Sequence, residues 1–284
     1  MKKAIKIILL VVAVVIIALI GGLFFLVNAE NITPAYLNIK EGIVQVDTGS
    51  GWTAARDGME LKLSDKVRTL DGKAKIILFE SAIVTLEEDT EVSIKELAQN
   101  NVSIRQESGM TWNKFTGLSG IENYEVETPN TVATVRGTEF GVSIDEVIVA
   151  NGKVQVRSGD QMLLIIGGKK AVLDENGTLV EMDLDAEDIA LIRERLVETL
   201  SDLKELRWYI IKKYDLIYSQ VKSRYDLTDQ DVEDYLNKID RGEIDDRDLL
   251  AKSPFEIKPA QRLIALNDKI KEQMNAISLF EPAS

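Results

Sequence analysis

Between residues 39 and 182 the chain runs in short apolar and alternating segments, broken about every ten residues by turn formers, and this spacing limits the fold more than any other feature. The segments are Gly42-Ile43-Val44-Gln45-Val46, Lys75-Ile76-Ile77-Leu78-Phe79, Ala82-Ile83-Val84-Thr85-Leu86, Glu91-Val92-Ser93-Ile94, Val102-Ser103-Ile104-Arg105, Gly152-Lys153-Val154-Gln155-Val156 and Gln161-Met162-Leu163-Leu164-Ile165-Ile166. Asp71-Gly72, Asn100-Asn101, Asn151-Gly152 and Asn176-Gly177 lie between them and tolerate positive φ. Runs this short leave no room for crossover helices. The pattern predicts a mainly β domain, built as a β-roll, a short β-solenoid or a sandwich.

On either side the period changes. Residues 7–27 contain no charged side chain, follow Lys2, Lys3 and Lys6, and precede Glu30. Such a run is roughly 31 Å long as a helix, against about 30 Å for a bilayer core. It reads as a transmembrane signal anchor with a cytoplasmic N-terminus, residues 1–29, and the rest of the chain outside the cytoplasm. Val27-Asn28-Ala29 also suits a cleaved signal peptide, but the apolar run is longer than the usual 7–15 residues of such a peptide. Both readings export residues 30–182, the β domain.

From residue 183 the apolar positions recur every three or four residues: Ile189, Ile192, Leu196, Leu200, Leu203, Leu206, Ile210, Tyr214, Ile217 and Val221. This predicts one helix over residues 186–225, capped by Asp183 or Asp185. Thr228 and Asp231 suit a capping box for a second helix that turns Val232, Tyr235, Leu236 and Ile239 inward and stops at Arg241-Gly242. Pro254 and Pro259 bracket a loop, and residues 260–279 regain helical spacing at Leu263, Ile264, Leu266, Ile270 and Met274. Residues 183–284 are therefore expected to be an α-helical appendage, a small bundle or a stalk, able to form a homo-oligomer.

Composition removes much chemistry. The chain has no His and no Cys, so thiolate nucleophiles, Ser-His-Asp triads and histidine bases are excluded. A net charge of −13 argues against nucleic acid as a partner. No cofactor and no metal is expected. Asp47-Thr48-Gly49-Ser50 spells an aspartic-protease motif, with Ile165-Ile166-Gly167 as a later apolar-apolar-Gly, which would make Asp47 the catalytic residue of an aspartic-type hydrolase. A polar hairpin turn is the competing role. Asp229, Asp231, Glu233 and Asp234 are acidic enough for a calcium loop but read as a helix start. Trp52 and Trp112 are candidates for an interaction surface; packing is the alternative for both, as it is for Trp208, Tyr209, Tyr214, Tyr218 and Tyr225.

One stretch is more specific. Residues 124–127 read as a strand that Pro129 ends, residues 132–135 as the next strand, and Gly137 as a tight bend or bulge before Phe140. The pattern Thr128-Pro129, Ala133, Arg136-Gly137-Thr138, Phe140 and Val142 resembles the FecR domain family. Gly51-Trp52, Gly58 to Leu61, Asp65-Lys66-Val67-Arg68-Thr69 and Ala74 to Leu78 follow that family's order as well, so the resemblance covers roughly residues 40–175. Ser64 stands where the family often has Gly. These motif residues are read as structural, with Arg136 pairing to a carboxylate.

The resemblance implies a membrane-anchored module. The family's best-known members are inner-membrane regulators: a cytoplasmic segment handles a sigma factor, and the periplasmic part receives a signal from an outer-membrane transporter. Six residues before the apolar run leave no room for a sigma-binding domain, so direct anti-sigma activity is not expected of this chain. The sequence predicts a non-enzymatic binding module of the cell envelope whose partner is an envelope protein or a cell-wall component. The alternative is a sensor or regulatory subunit of transmembrane signalling.

Overall fold

The computed structural model describes residues 32–98, 100–118, 120–247 and 258–280. The apolar segment 7–27 and Pro254 lie outside these residues. Among the described residues no helix is long and apolar enough to cross a membrane.

Among the described residues, fifteen strands form one sheet. They are β1 (Ala35–Asp47), β2 (Thr53–Ala54), β3 (Lys66–Leu78), β4 (Ala82–Leu86), β5 (Glu91–Leu97), β6 (Asn101–Ser108), β7 (Thr111–Phe115) and β8 (Asn123–Glu127), continuing with β9 (Val132–Val135), β10 (Glu139–Val142), β11 (Glu146–Asn151), β12 (Lys153–Ser158), β13 (Gln161–Ile166), β14 (Lys169–Leu173) and β15 (Leu179–Asp183). The order is β13-β12-β9-β8-β6-β5-β3-β4-β7-β10-β11-β14-β15, with β1 also on β3 and β2 on β1. All pairings are antiparallel except β6 with β8.

This order has a simple reading. After β7 the chain lays strands alternately on two wings: β8 and β9 on one, β10 and β11 on the other, β12 and β13 on the first, β14 and β15 on the second. The wings curl toward each other, so the edge strands β13 and β15 come close. Gln161 clasps them: its Nε2 donates to the Gly177 carbonyl at 2.7 Å, and the Leu179 N–H donates to its Oε1 at 2.9 Å. The result is a nearly closed, barrel-like sheet. It is one rolled sheet rather than the stacked coils of a solenoid or the two sheets of a sandwich.

Alternation then fills the interior. Val67, Ile76, Val84, Ile94, Ile104, Val126, Val135, Phe140, Val149, Val154 and Ile165 belong to one core cluster inside the roll. A polar chain runs through it. The Tyr124 hydroxyl donates to Asn113 Oδ1 (2.6 Å), Asn113 Nδ2 donates to Thr111 Oγ1 (2.9 Å), and Thr111 donates to Gln106 Oε1 (2.7 Å). Gln106 in turn donates to the carbonyls of Gly109 and Val142. Each of these four buried side chains thereby finds a partner.

The helices among the described residues are α1 (Ala186–Lys213), α2 (Asp215–Tyr225), α3 (Asp229–Asp240) and α4 (Lys258–Leu279). Asp185 is the α1 cap, accepting the N–H groups of Glu187 and Asp188, while Asp183 lies in β15 and pairs with Lys169. The single helix expected over residues 186–225 is broken at Tyr214, whose φ of −105° and ψ of 41° leave the helical region. Periodicity continued across this break, so spacing alone did not reveal it.

The described residues group into two compact units. One holds residues 32–209 with 268–280; the other holds residues 210–247 with 258–267. Most of α1 and the end of α4 group with the sheet. Ile192, Leu196 and Ala276 form a cluster with Trp112, Ile148 and Ala150, which point outward from β7 and β11. Ion pairs fix the same contact: Lys75 Nζ lies 2.6 Å from Asp202 and 2.8 Å from Glu198, and Arg195 reaches Glu87 at 3.0 Å and Glu198 at 2.5 Å. Burial opposes ionisation of Glu198, but Lys75, Arg195 and Lys73 outweigh it and hold its pKa down at about 2. Much of the stripe expected to serve oligomerisation is used within the chain.

In the second unit the capping box forms as expected. The Asp231 N–H donates to Thr228 Oγ1 (3.1 Å), and the Thr228 N–H donates to Asp231 Oδ2 (2.8 Å). Leu236 and Ile239 are buried, whereas Tyr235 faces solvent. Helix α3 ends at Arg241, and Gly242 has φ of 73°.

Candidate functional site

Residues 128–142 begin where β8 ends and close on β10. At one end Thr128 ties two turns together: its Oγ1 accepts the Thr131 N–H (2.9 Å) and donates to the Ile144 carbonyl (3.0 Å), and Asn130 Nδ2 donates to Asp145 (2.6 Å). Pro129 sits in the turn between β8 and β9, where no ladder N–H is required. Ala133, Phe140 and Val142 point into the core.

At the other end, Arg136-Gly137-Thr138 carries the chain from one wing to the other. Strands β9 and β10 do not pair with each other; β9 joins β8 and β12, and β10 joins β7 and β11. Gly137 has φ of 64°, the left-handed region in which a side chain at Cβ is strained. The next crossover packs directly on it, since a Cβ on Gly152 would lie 2.9 Å from the Gly137 carbonyl oxygen. Thr138 Oγ1 donates to the Lys153 carbonyl (3.0 Å), and the Gly167 N–H donates to the Gly152 carbonyl (3.0 Å), so three successive crossovers stack.

Behind this stack lies a buried charge. Glu139 is wholly enclosed and accepts from Trp112 Nε1 (3.0 Å) and Lys114 Nζ (3.1 Å). Lys114 also donates to Gln273 Oε1 (2.7 Å), and Gln273 Nε2 donates to the Leu196 carbonyl (2.9 Å). One chain of hydrogen bonds therefore joins the motif strand β10 to α4 and α1. Sequence reading missed Lys114, Glu139 and Gln273; the one signal was a charged pair within strand-like segments.

Other expected positions separate. Trp112 is buried beneath the helices, with 2% exposure, and offers no interaction surface. Trp52 is half-exposed, with the Arg68 guanidinium 4.1 Å from its ring centre while Arg68 also bonds Gln45. The two tryptophans sit on different elements and form no common face. Arg136 does not pair with a carboxylate: it is exposed and makes no ion pair with a described residue. Asp47 Oδ1 accepts the N–H groups of Gly49 (2.8 Å) and Gly51 (2.9 Å), which lower its pKa. That is a polar turn, with its carboxylate held ionised. Asp229 is engaged by Tyr218 and Lys222, and Asp231 by Thr228. Tyr209 stacks on Tyr36 at 5.2 Å between ring centres, and Tyr225 is largely exposed.

Two hollows remain. A cavity of about 120 Å³ is lined by Tyr36, Asn38, Lys75, Asp202 and Tyr209, and another of about 270 Å³ by Met110, Gly141, Glu146, Ile148 and Leu191. Burial raises the pKa of Asp202, with Lys75 opposing the shift.

Residues 65–160 match the family described as FecR protein, a narrower span than residues 40–175. Two crystal structures of a proposed anti-sigma factor from Parabacteroides distasonis ATCC 8503, at 1.65 and 2.50 Å resolution, are similar at 18% and 19% identity, with TM-scores of 0.39 and 0.38. The matches cover 43% and 42% of this chain and 61% and 59% of those chains, so this chain spans about three fifths of their length. No curated protein matches. The rolled β module of this chain, with its stacked crossovers, carries a FecR domain over residues 65–160.

Proposed function

We propose that this chain is a regulatory FecR-domain protein, tethered to the membrane, whose domain lies outside the cytoplasm and relays contact with a protein partner into signalling. The carrying observation is the FecR match over residues 65–160. It favours the regulatory reading over a purely structural binding role in the envelope. The uncharged run at residues 7–27 supports the tether. The role is non-catalytic: the chain has no His or Cys, and Asp47 is held ionised by backbone donors. The buried link from Glu139 through Lys114 and Gln273 to α1 supplies a rigid path from the crossovers to the helices.

Expression profiling tests this reading. Cells lacking the protein, and the same cells complemented with it, are compared. A regulatory role gives a small, defined set of transcripts that shifts on deletion and returns on complementation. Changed envelope sensitivity to detergent with no such set would favour the structural role instead.

A further inference from the structure

The outer face of the rolled sheet is treated in three ways. Over β7, β10 and β11 it is covered by α1 and the end of α4, through the cluster around Trp112 and Ile148. On β5, β6 and β8 it is polar, with Lys95, Arg105 and Glu127 joined in ion pairs. On the two edge strands it is neither. Met162, Leu164 and Ile166 of β13 are 57%, 60% and 49% exposed, and Val180 and Met182 of β15 are 39% and 47% exposed.

These five side chains form one surface. Residues 162, 164 and 166 share the outward face because strand side chains alternate, and Leu163 and Ile165 turn inward. The Gln161 clasp holds β15 against the same end of β13. Isolated exposed apolar residues are ordinary; a row of them on adjoining edges marks a contact surface.

Beside the apolar row runs a row of cations. The register pairs Arg157 with Met162, Gln155 with Leu164, and Lys153 with Ile166. Arg136 follows Val135, which pairs with Val154, and so flanks Lys153. Arg136, Lys153 and Arg157 are all exposed, and none forms an ion pair with a described residue. In a chain of net charge −13, where Lys73, Lys75, Lys114, Lys170 and Arg195 are all matched to carboxylates, three unmatched cations on one face stand out. The two rows lie about 5 Å apart, and the apolar one is roughly 14 Å long.

We propose that this β12–β13–β15 face docks an acidic amphipathic helix of a partner protein, its apolar side on Met162, Leu164, Ile166, Val180 and Met182 and its carboxylates on Arg136, Lys153 and Arg157. Two parallel rows of this kind match a helix that carries acids along one flank of its apolar stripe. An anionic bilayer is the poorer occupant, because the net charge of the whole chain repels it. The proposal deepens the partner-reading role above and rests on it.

The test uses the full-length chain and a fluorescent Leu/Ala/Glu peptide of roughly 18 residues, long enough to be helical. A peptide with Lys in place of Glu is the control. The acidic peptide is expected to bind, more weakly as salt rises, and the basic one not to bind. Arg136→Glu with Arg157→Glu should weaken binding about tenfold or more, and Leu164→Gln should do so without the salt effect. All three positions are exposed, and each variant is first checked for an unchanged unfolding temperature. Equal binding of both peptides, or of the acidic peptide to wild type and variants, overturns the proposal. So does binding of phosphatidylglycerol vesicles that Leu164→Gln or the charge reversals weaken, or a dimer in sedimentation that Leu164→Gln dissolves. If the peptide fails while the transcript set still depends on the protein, this face is wrong and the regulatory reading stands.

Discussion

Replacing Glu139 by Ala is the most demanding perturbation of the buried link. The carboxylate is fully enclosed and serves two donors, Trp112 Nε1 and Lys114 Nζ. Its removal strands an indole N–H and leaves a buried ammonium with Gln273 as its remaining partner. Breaking a buried pair from one side costs about 3–5 kcal/mol, since the surviving charge keeps its desolvation penalty. A folded unit of this size shifts by about 2–4 °C per kcal/mol, so the unfolding midpoint should fall by about 6–20 °C. Thermal unfolding of the full-length chain, followed by helical circular dichroism and by tryptophan fluorescence, measures this. The two probes should move together, because Trp112 in the sheet packs on α1 and α4. Glu139→Leu combined with Lys114→Met removes both charges and should recover most of the loss. A cost below about 1 kcal/mol for Glu139→Ala, with the two changes additive, would refute the view that this pair is a dry clamp.

Three further outcomes are expected. Glu198 titrates near pH 2 when folded and at 4.5 ordinarily, so its contribution is present above pH 4.5 and is lost as pH falls toward 2; Glu198→Gln should be less stable at pH 7 and lose less across that window in acid-unfolding curves. Gly42→Ala should cost about 3 kcal/mol, because a Cβ there would sit 1.8 Å from the Asp71 carbonyl oxygen, whereas Gly137→Val meets open space and should cost only the left-handed strain of about 1–2 kcal/mol, as thermal unfolding would show. Gln161→Leu should loosen the closure between β13 and β15 by about 1–2 kcal/mol and speed hydrogen exchange at the Leu179 amide.

Local pattern carried much of the fold. Strands β4 and β13 match the expected segments, since each is a clean run bounded by turn residues. Strand β7 was not legible: Thr111, Asn113 and Lys114 are polar, and they are buried only because Gln106, Tyr124 and Glu139 satisfy them from distant strands. The 3–4 stripe correctly marked α1, yet its target, the outer face of β7 and β11, could not be inferred because those strands come from separate hairpins. Motif residues 128–142 were recognisable, while the separation of β9 and β10 onto two wings depends on pairings far apart in sequence. Arg136 was expected to be paired; only the register places it beside Lys153 on an exposed face.

The partner-reading role is tested most directly by placing a photo-crosslinking amino acid at Leu164 in living cells, with Leu63, equally exposed outside the edge strands, as the control position. The account predicts one discrete crosslinked protein from position 164, with an acidic amphipathic helix in its sequence, lost when Arg136 and Arg157 are reversed to Glu. Crosslinks from position 63 as strong as those from 164, or a product indifferent to the charge reversal, would contradict it.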